Sequence, residues 1–155
     1  YTLEACLRKY LFAEYESLYK YELSLNEKFG KYFTLRFEQE QISNCLSVIF
    51  TGRQEQYVLN TPSFMSRHSS VDMDKIYSAK TLPELSDALI NTPYKNVLRP
   101  FVKMADSEID YAVVDSALHS FVFAEISDLL RNSFRGSAQK DLMPLLGLRF
   151  DITNL

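Results

Sequence analysis

Tryptophan is missing from these 155 residues, and glycine (4), proline (5), cysteine (2) and histidine (2) are scarce. So little Gly and Pro disfavours a turn-rich all-β fold. Two cysteines give no reason to invoke a disulfide scaffold. Two histidines, His68 with no second ligand nearby and His119 at what reads as a solvated polar position, give no metal set, and none is expected. The net charge is only −3, from 17 basic and 20 acidic residues, which argues against a broad nucleic-acid-binding face. No apolar run approaches the ~20 residues of a membrane span. None of Gly30, Gly52, Gly136 or Gly147 has the clustered-Gly, Lys, Ser/Thr setting of a phosphate-binding loop, so no ATP site and no cofactor are expected.

What remains is 46% hydrophobic and 14% aromatic against 24% charged, enough to bury a core and too apolar for disorder. Its dominant period is helical. Leu3, Leu7, Tyr10, Leu11, Leu18 and Tyr21 or Glu22 track one face of a long helix over 2–28, which Gly30 is expected to end. A second helix over 32–51 presents Leu35, Ile42, Cys45, Leu46 and Ile49 and closes at Gly52. Residues 53–71, polar and Ser-rich around Pro62, read as a loop or short helical turns. Thr81-Leu82-Pro83-Glu84 is a capping box opening a helix over 82–90, and Asn91-Thr92-Pro93 caps another over 93–104. Asp106 or Ser107 caps a long helix, 108–134, with Ile109, Ala112, Val113, Ala117, Phe121 and Ala124 on its main stripe. Gly136 ends it, Ser137 caps the next helix, and Gly147 is expected to break that one. The fold class is all-α.

The chain also resembles itself. Residues 4–14 lie over 115–125 at an offset of 111, sharing an acid, a Leu, an aromatic and Phe-Ala-Glu. Gln41-Ile42-Ser43-Asn44-Cys45 lies over Asp151-Ile152-Thr153-Asn154-Leu155 at an offset of 110. A period of about 110 exceeds the 33–47 residues of common helical repeats, so each unit is a multi-helix module. Residues 1–52 are then the second half of one module, 53–71 a connection, and 72–155 most of the following module. A start at Tyr1 and a stop at Leu155, both inside the repeat, lead us to expect a piece of a longer protein.

Three features resemble the central-stalk C subunit of prokaryotic V-type (A/V-type) rotary ATPases, subunit d in eukaryotes. Leu82-Pro83-Glu84-Leu85 followed by Leu89-Ile90-Asn91-Thr92-Pro93-Tyr94-Lys95-Asn96-Val97-Leu98 is similar to the family's Glu-Leu…Thr-Pro-Tyr segment. An acid-Leu-aromatic helix follows at Asp115, Leu118 and Phe121, and Asp151 to Leu155 resembles the family's acid-Ile-x-Asn-apolar unit ending. The earlier copy departs from that ending, with Gln41 in place of the acid and Cys45 in place of the branched residue; Glu38 or Glu40 could substitute nearby. The resemblance implies modules arranged as a three-module funnel. It also implies a non-catalytic subunit joining the central axle subunits to the membrane rotor ring, peripheral on the cytoplasmic face. Coupling of ATP hydrolysis or synthesis to proton or sodium transport is implied with it. An all-helical adaptor with an unrelated partner is the alternative reading, and a helical enzyme the third.

Glu14 and Glu125, which recur at one place in the repeat, read either as solvated helix positions or as a structural hydrogen bond or ion pair repeated in each module, and Asp151 belongs to the unit-ending motif. Asn44 and Asn154, between apolar neighbours, are expected to be partly buried with hydrogen bonds to backbone across a helix contact. Thr92 and Pro93 are expected to shape a helix start, with Tyr94 packed under the preceding helix. Cys6 and Cys45 read as buried, inert thiols. The carboxylates Asp72 and Asp74 read as helix-start residues rather than an acid/base pair. Ten tyrosines are too many for one core stripe, so some are expected on outer faces suited to a protein interface.

Overall fold

The computed structural model describes residues 3–24, 30–52, 68–105 and 108–153, and among them every extended regular element is a helix. These are α1 (Leu3–Ser24), α2 (Lys31–Thr51), α3 (Met73–Ser78), α4 (Leu82–Ala88), α5 (Tyr94–Val102), α6 (Tyr111–Ser133) and α7 (Ser137–Thr153). The all-α expectation holds. Helix α3 was not anticipated, because six residues are too few to display a helical period.

The core is centred on α2 and α6, which make the most extensive helix contact and run antiparallel. Three pairs fix that register: Phe50 meets Tyr111 edge-on at 5.8 Å, the Ser43 hydroxyl donates to Asp115 at 2.6 Å, and Lys31 faces Glu125 at 3.8 Å. Helices α3, α4 and α5 close the remaining sides, burying Ile76, Leu85, Leu89 and Leu98 completely. Each completely buried Leu or Ile contributes roughly 1.5–3 kcal/mol by removal from water. On α2 the expected stripe is right: Leu35, Ile42, Cys45 and Leu46 are buried and Ile49 packs at the edge.

On α6 it is displaced by one residue. Val114, Leu118, Val122, Ile126 and Leu130 face the core, while Ala112, Val113 and Ala124 face out. Apolar residues lie nearly all around this helix, so its period admits two stripes; the buried one carries the bulkier side chains and covers more surface. On α1 the expected apolar stripe is exposed, and Phe12 and Tyr15 of another face pack against Phe37 and Phe33 of α2.

The punctuation differs from expectation in several places. Gly52, with φ +67°, does end α2, its amide donating to the Val48 carbonyl at 2.8 Å. Gly30 instead has right-handed backbone and starts α2. It is glycine because a Cβ there would stand 2.6 Å from the Tyr19 ring and the Glu22 carboxylate, so it permits α1 and α2 to approach closely. Thr81 caps α4 as expected, accepting from the Glu84 amide at 3.4 Å, but Glu84 reaches back to the amide of Lys80 at 2.7 Å. The cap of α6 is Asp110, which accepts from the Ala112 amide at 2.9 Å; Asp106 and Ser107 lie outside the described residues. Helix α6 ends at Ser133 with an extended Phe134, and Gly136 precedes α7. Gly147 does not break α7, which continues through it to Thr153, because a glycine in right-handed backbone weakens a helix without stopping it.

Candidate functional site: a buried carboxylate where four segments meet

Helix α2 carries Glu38 one turn from both Leu35 and Ile42, on its core face, and only 2% of the residue is exposed. A carboxylate there must have every lone pair engaged or the fold loses several kcal/mol, on the order of a broken buried ion pair. Four donors meet it. Its Oε1 accepts from the Ser69 hydroxyl at 2.8 Å, the Ser70 amide at 2.6 Å and the Ser70 hydroxyl at 3.1 Å. Its Oε2 accepts from the Tyr94 hydroxyl at 2.7 Å. The Ser69 hydroxyl is itself placed by the Val71 amide, which donates to it at 3.0 Å.

Tyr94 is completely buried, its ring meeting Phe121 of α6 edge-on at 5.4 Å. Burial pushes its hydroxyl far above the ordinary phenol range, and the negative charges of Glu38 and Glu125 push it the same way. The proton thus stays on Tyr94, where it serves as donor. The carboxylate ties together α2, the Ser69–Val71 segment and α5, and through the Tyr94 ring reaches α6. All of its donors are uncharged, and together they fasten these segments to one another.

A second polar cluster bridges α2 and α6. Asp115 accepts from Ser43 with Oδ1 and places Oδ2 3.5 Å from Nε2 of His119. Serine, acid and histidine are all present, but the carboxylate stands between the other two. Activation of a hydroxyl needs the imidazole in that middle position, so this is not a nucleophile–base arrangement. His119 is mostly covered, against the solvated position expected for it. Among the described residues no group of three or more His, Cys, Asp or Glu could hold a metal, and no helix is long and apolar enough to cross a membrane.

The residues singled out in the sequence fall unevenly around the junction. Tyr94 is at its centre. Its hydroxyl reaches Glu38 of α2 and its ring meets Phe121 of α6. Thr92 is buried, but its hydroxyl turns back to the Leu89 carbonyl at 2.8 Å and caps nothing. Pro93 occupies the cap position of α5 without a side-chain hydrogen bond, its fixed φ being compatible with a helix start.

Glu125 is half-buried beside Lys31, whereas Glu14, its counterpart in the repeat, is exposed. Asn44 is exposed, correcting the expectation of burial: it points away from the Glu38–Ile42–Cys45 face that meets α6. Asn154 and the side chain of Asp151 lie outside the described residues. Cys45 is buried with its thiol 3.4 Å from the Ile76 carbonyl, but Cys6 is exposed, correcting the inert-core reading there. Asp72 and Asp74 do stand at the start of α3, Asp72 capping the Lys75 amide at 3.3 Å.

Sequence reasoning noticed Glu38 only as a stand-in for a missing acid. The signal was its spacing of three from Leu35 and four from Ile42, which sets an acid within an apolar face. The serines at the other end lie in the stretch read as a loop.

The family model described as ATP synthase (C/AC39) subunit matches residues 1–155. No curated protein and no solved structure matches the chain significantly.

Proposed function

From the premise that this chain belongs to the ATP synthase (C/AC39) subunit family, a non-catalytic subunit family of V-type rotary ATPases, we propose that it is a central-stalk coupling piece. In this reading it links the axle of the soluble motor to the membrane rotor ring. Rotation driven by ATP hydrolysis, or driving its synthesis, then passes through it to proton or sodium transport. The observation that carries the reading is the family match over the whole of residues 1–155.

The physical character of the fold supports it. A transmission element must resist twisting, and long helices joined by a buried, fully bonded carboxylate have few soft modes. The clusters at Glu38 and Asp115 are both fastenings with no reactive order, as suits a subunit that transmits work. Association with the membrane is indirect in this reading, through the ring, on its cytoplasmic side. The modules of a funnel, with the repeat of about 110 residues, belong to the same proposal.

Affinity-tagged chain expressed beside the other subunits of the complex tests it. Recovery of axle and ring subunits with the tag is expected. Recovery of the tagged chain with an unrelated helical partner and neither of those would favour the adaptor reading instead.

A further inference from the structure

Helix α5 carries a row of cations that no described acid neutralises. Lys95, Arg99 and Lys103 stand at i, i+4 and i+8, which sets them in one line along the helix. Lys95 is half-buried, and Arg99 and Lys103 are exposed. No acid occurs in the sequence between Asp87 and Asp106, so α5 offers the three no partner of its own. On α1, α3 and α6, by contrast, a cation meets an acid one turn away: Lys20 and Glu16 at 2.7 Å, Lys75 and Asp72 at 3.0 Å, Arg131 and Asp128 at 3.2 Å. Among the described residues Lys95, Arg99 and Lys103 make no ion pair. The helices packed against α5 do not supply one. Glu84 of α4 accepts from the Lys80 amide, Asp87 pairs with none of the three, and on α6 Asp115 faces Ser43 and Glu125 faces Lys31.

We infer that this row is a docking face for an acidic helical segment of a partner protein, whose carboxylates at i, i+4 and i+8 lie alongside the three cations. The helix dipole accounts for Arg99 and Lys103, which sit at the negative end of α5. It does not account for Lys95, in the first turn, where a cation is disfavoured. Like charges one turn apart also repel, so the row works against the helix that bears it. An opposed row of carboxylates relieves both penalties, and Arg99 can hold one of them through two parallel N–H donors. The spacing selects the form of the partner, because side chains four apart on a facing helix recur at the same interval. A single line of three cations on a chain of net charge −3 is too narrow for duplex nucleic acid or an anionic membrane, which the rest of the surface repels. Its outward neighbours Asn96 and Pro100 are exposed and not strongly apolar, so the contact is polar and sensitive to salt. The face is defined by its charge and does not depend on the central-stalk reading.

A labelled, alanine-rich helical peptide with glutamates at i, i+4 and i+8 tests this, titrated with the chain and followed by fluorescence anisotropy. Binding is expected at low ionic strength and should weaken as salt is added. A peptide of the same composition, its three glutamates spread around the helix, should bind roughly tenfold more weakly. Arg99→Glu with Lys103→Glu should abolish binding, and a peptide with lysines in place of the glutamates should then bind instead. Arg135→Glu with Lys140→Glu makes the same change in net charge elsewhere on the surface and should leave affinity within about twofold. All four substituted residues are exposed, so far-UV circular dichroism of both variants should match the parent. Arg99→Gln with Lys103→Gln replaces the charge reversal should that variant fail to fold. No binding of the peptide at low ionic strength overturns the inference. So do equal affinities for the two glutamate peptides, or an equal loss in the Arg135→Glu, Lys140→Glu chain, since either would mean diffuse attraction alone. Capture of the chain by phosphatidylglycerol vesicles through Arg99 and Lys103, without binding of the peptide, would overturn it in favour of a lipid surface.

Discussion

The hydroxyl of Tyr94 donates a 2.7 Å hydrogen bond to Oε2 of Glu38, a residue 56 positions earlier in the chain, and both are buried. This bond closes the widest loop of any side-chain contact at the junction. Its removal should be felt across the fold. Tyr94→Phe keeps the ring against Phe121 and leaves the carboxylate one donor short, which should cost about 1–3 kcal/mol in urea unfolding. Glu38→Gln should cost a similar amount, since an amide nitrogen cannot accept. The double variant should show a coupling of roughly 0.5–3 kcal/mol. Strict additivity of the two losses would mean the bond is not made in solution.

Alkaline pH should reveal the same tyrosine. Burial, and then the Glu38 charge, hold its pKa above the ordinary value of 10.0, so the folded state keeps a proton that the unfolded chain releases. The sign follows: this contribution is complete below about pH 10 and is lost as pH rises beyond it, by up to about 1.4 kcal/mol per pH unit for each retained proton. Tyr111, raised by burial and by Asp115, and Tyr19, raised by burial and by Glu22, act in the same direction. Stability measured across the alkaline range should fall less steeply in Tyr94→Phe than in the parent, though not become flat.

The face that α6 turns to the core can be read by truncation. Leu118→Ala, at a completely buried site, should cost about 2–5 kcal/mol. Val113→Ala, on the outward face, should change stability by less than about 0.5 kcal/mol. Equal losses from both would mean that the helix is turned differently from the arrangement described.

Two glycines should respond to alanine with opposite signs. At Gly147 the backbone is helical and nothing lies within 4 Å of an added Cβ, so Gly147→Ala should stabilise by roughly 0.5–1 kcal/mol. Gly52 also has open space, but its φ of +67° is left-handed, and Gly52→Ala should destabilise by about 1 kcal/mol. Melting temperatures of the two variants should move apart around that of the parent.

Local chemistry is what the sequence displays most openly. The left-handed turn at Gly52, the Thr81 cap and the core face of α2 all follow from residues within a turn or two of each other. The errors arose where a distant partner decides. Gly30 looks like a helix stop until Tyr19 and Glu22 are seen against it. The stripe of α6 is ambiguous until α2 and α5 choose a side. The junction at Glu38 was the least legible part, because its donors come from Ser69, Ser70 and Tyr94, and hydrogen bonds leave no periodic trace. Tyr94 could be singled out through a family resemblance, while the acid it serves could be noticed only as an oddity.

The grip of Ser69 and Ser70 on Glu38 bears on how the protein opens. Lifting this short segment from α2 would strand a carboxylate in the core, so the segment has no inexpensive excursion of its own. Its amides should exchange with solvent only when the surrounding helices come apart together. Ser69 and Ser70, serines in a polar stretch of sequence, thus belong to the same cooperative unit as α2 and α5.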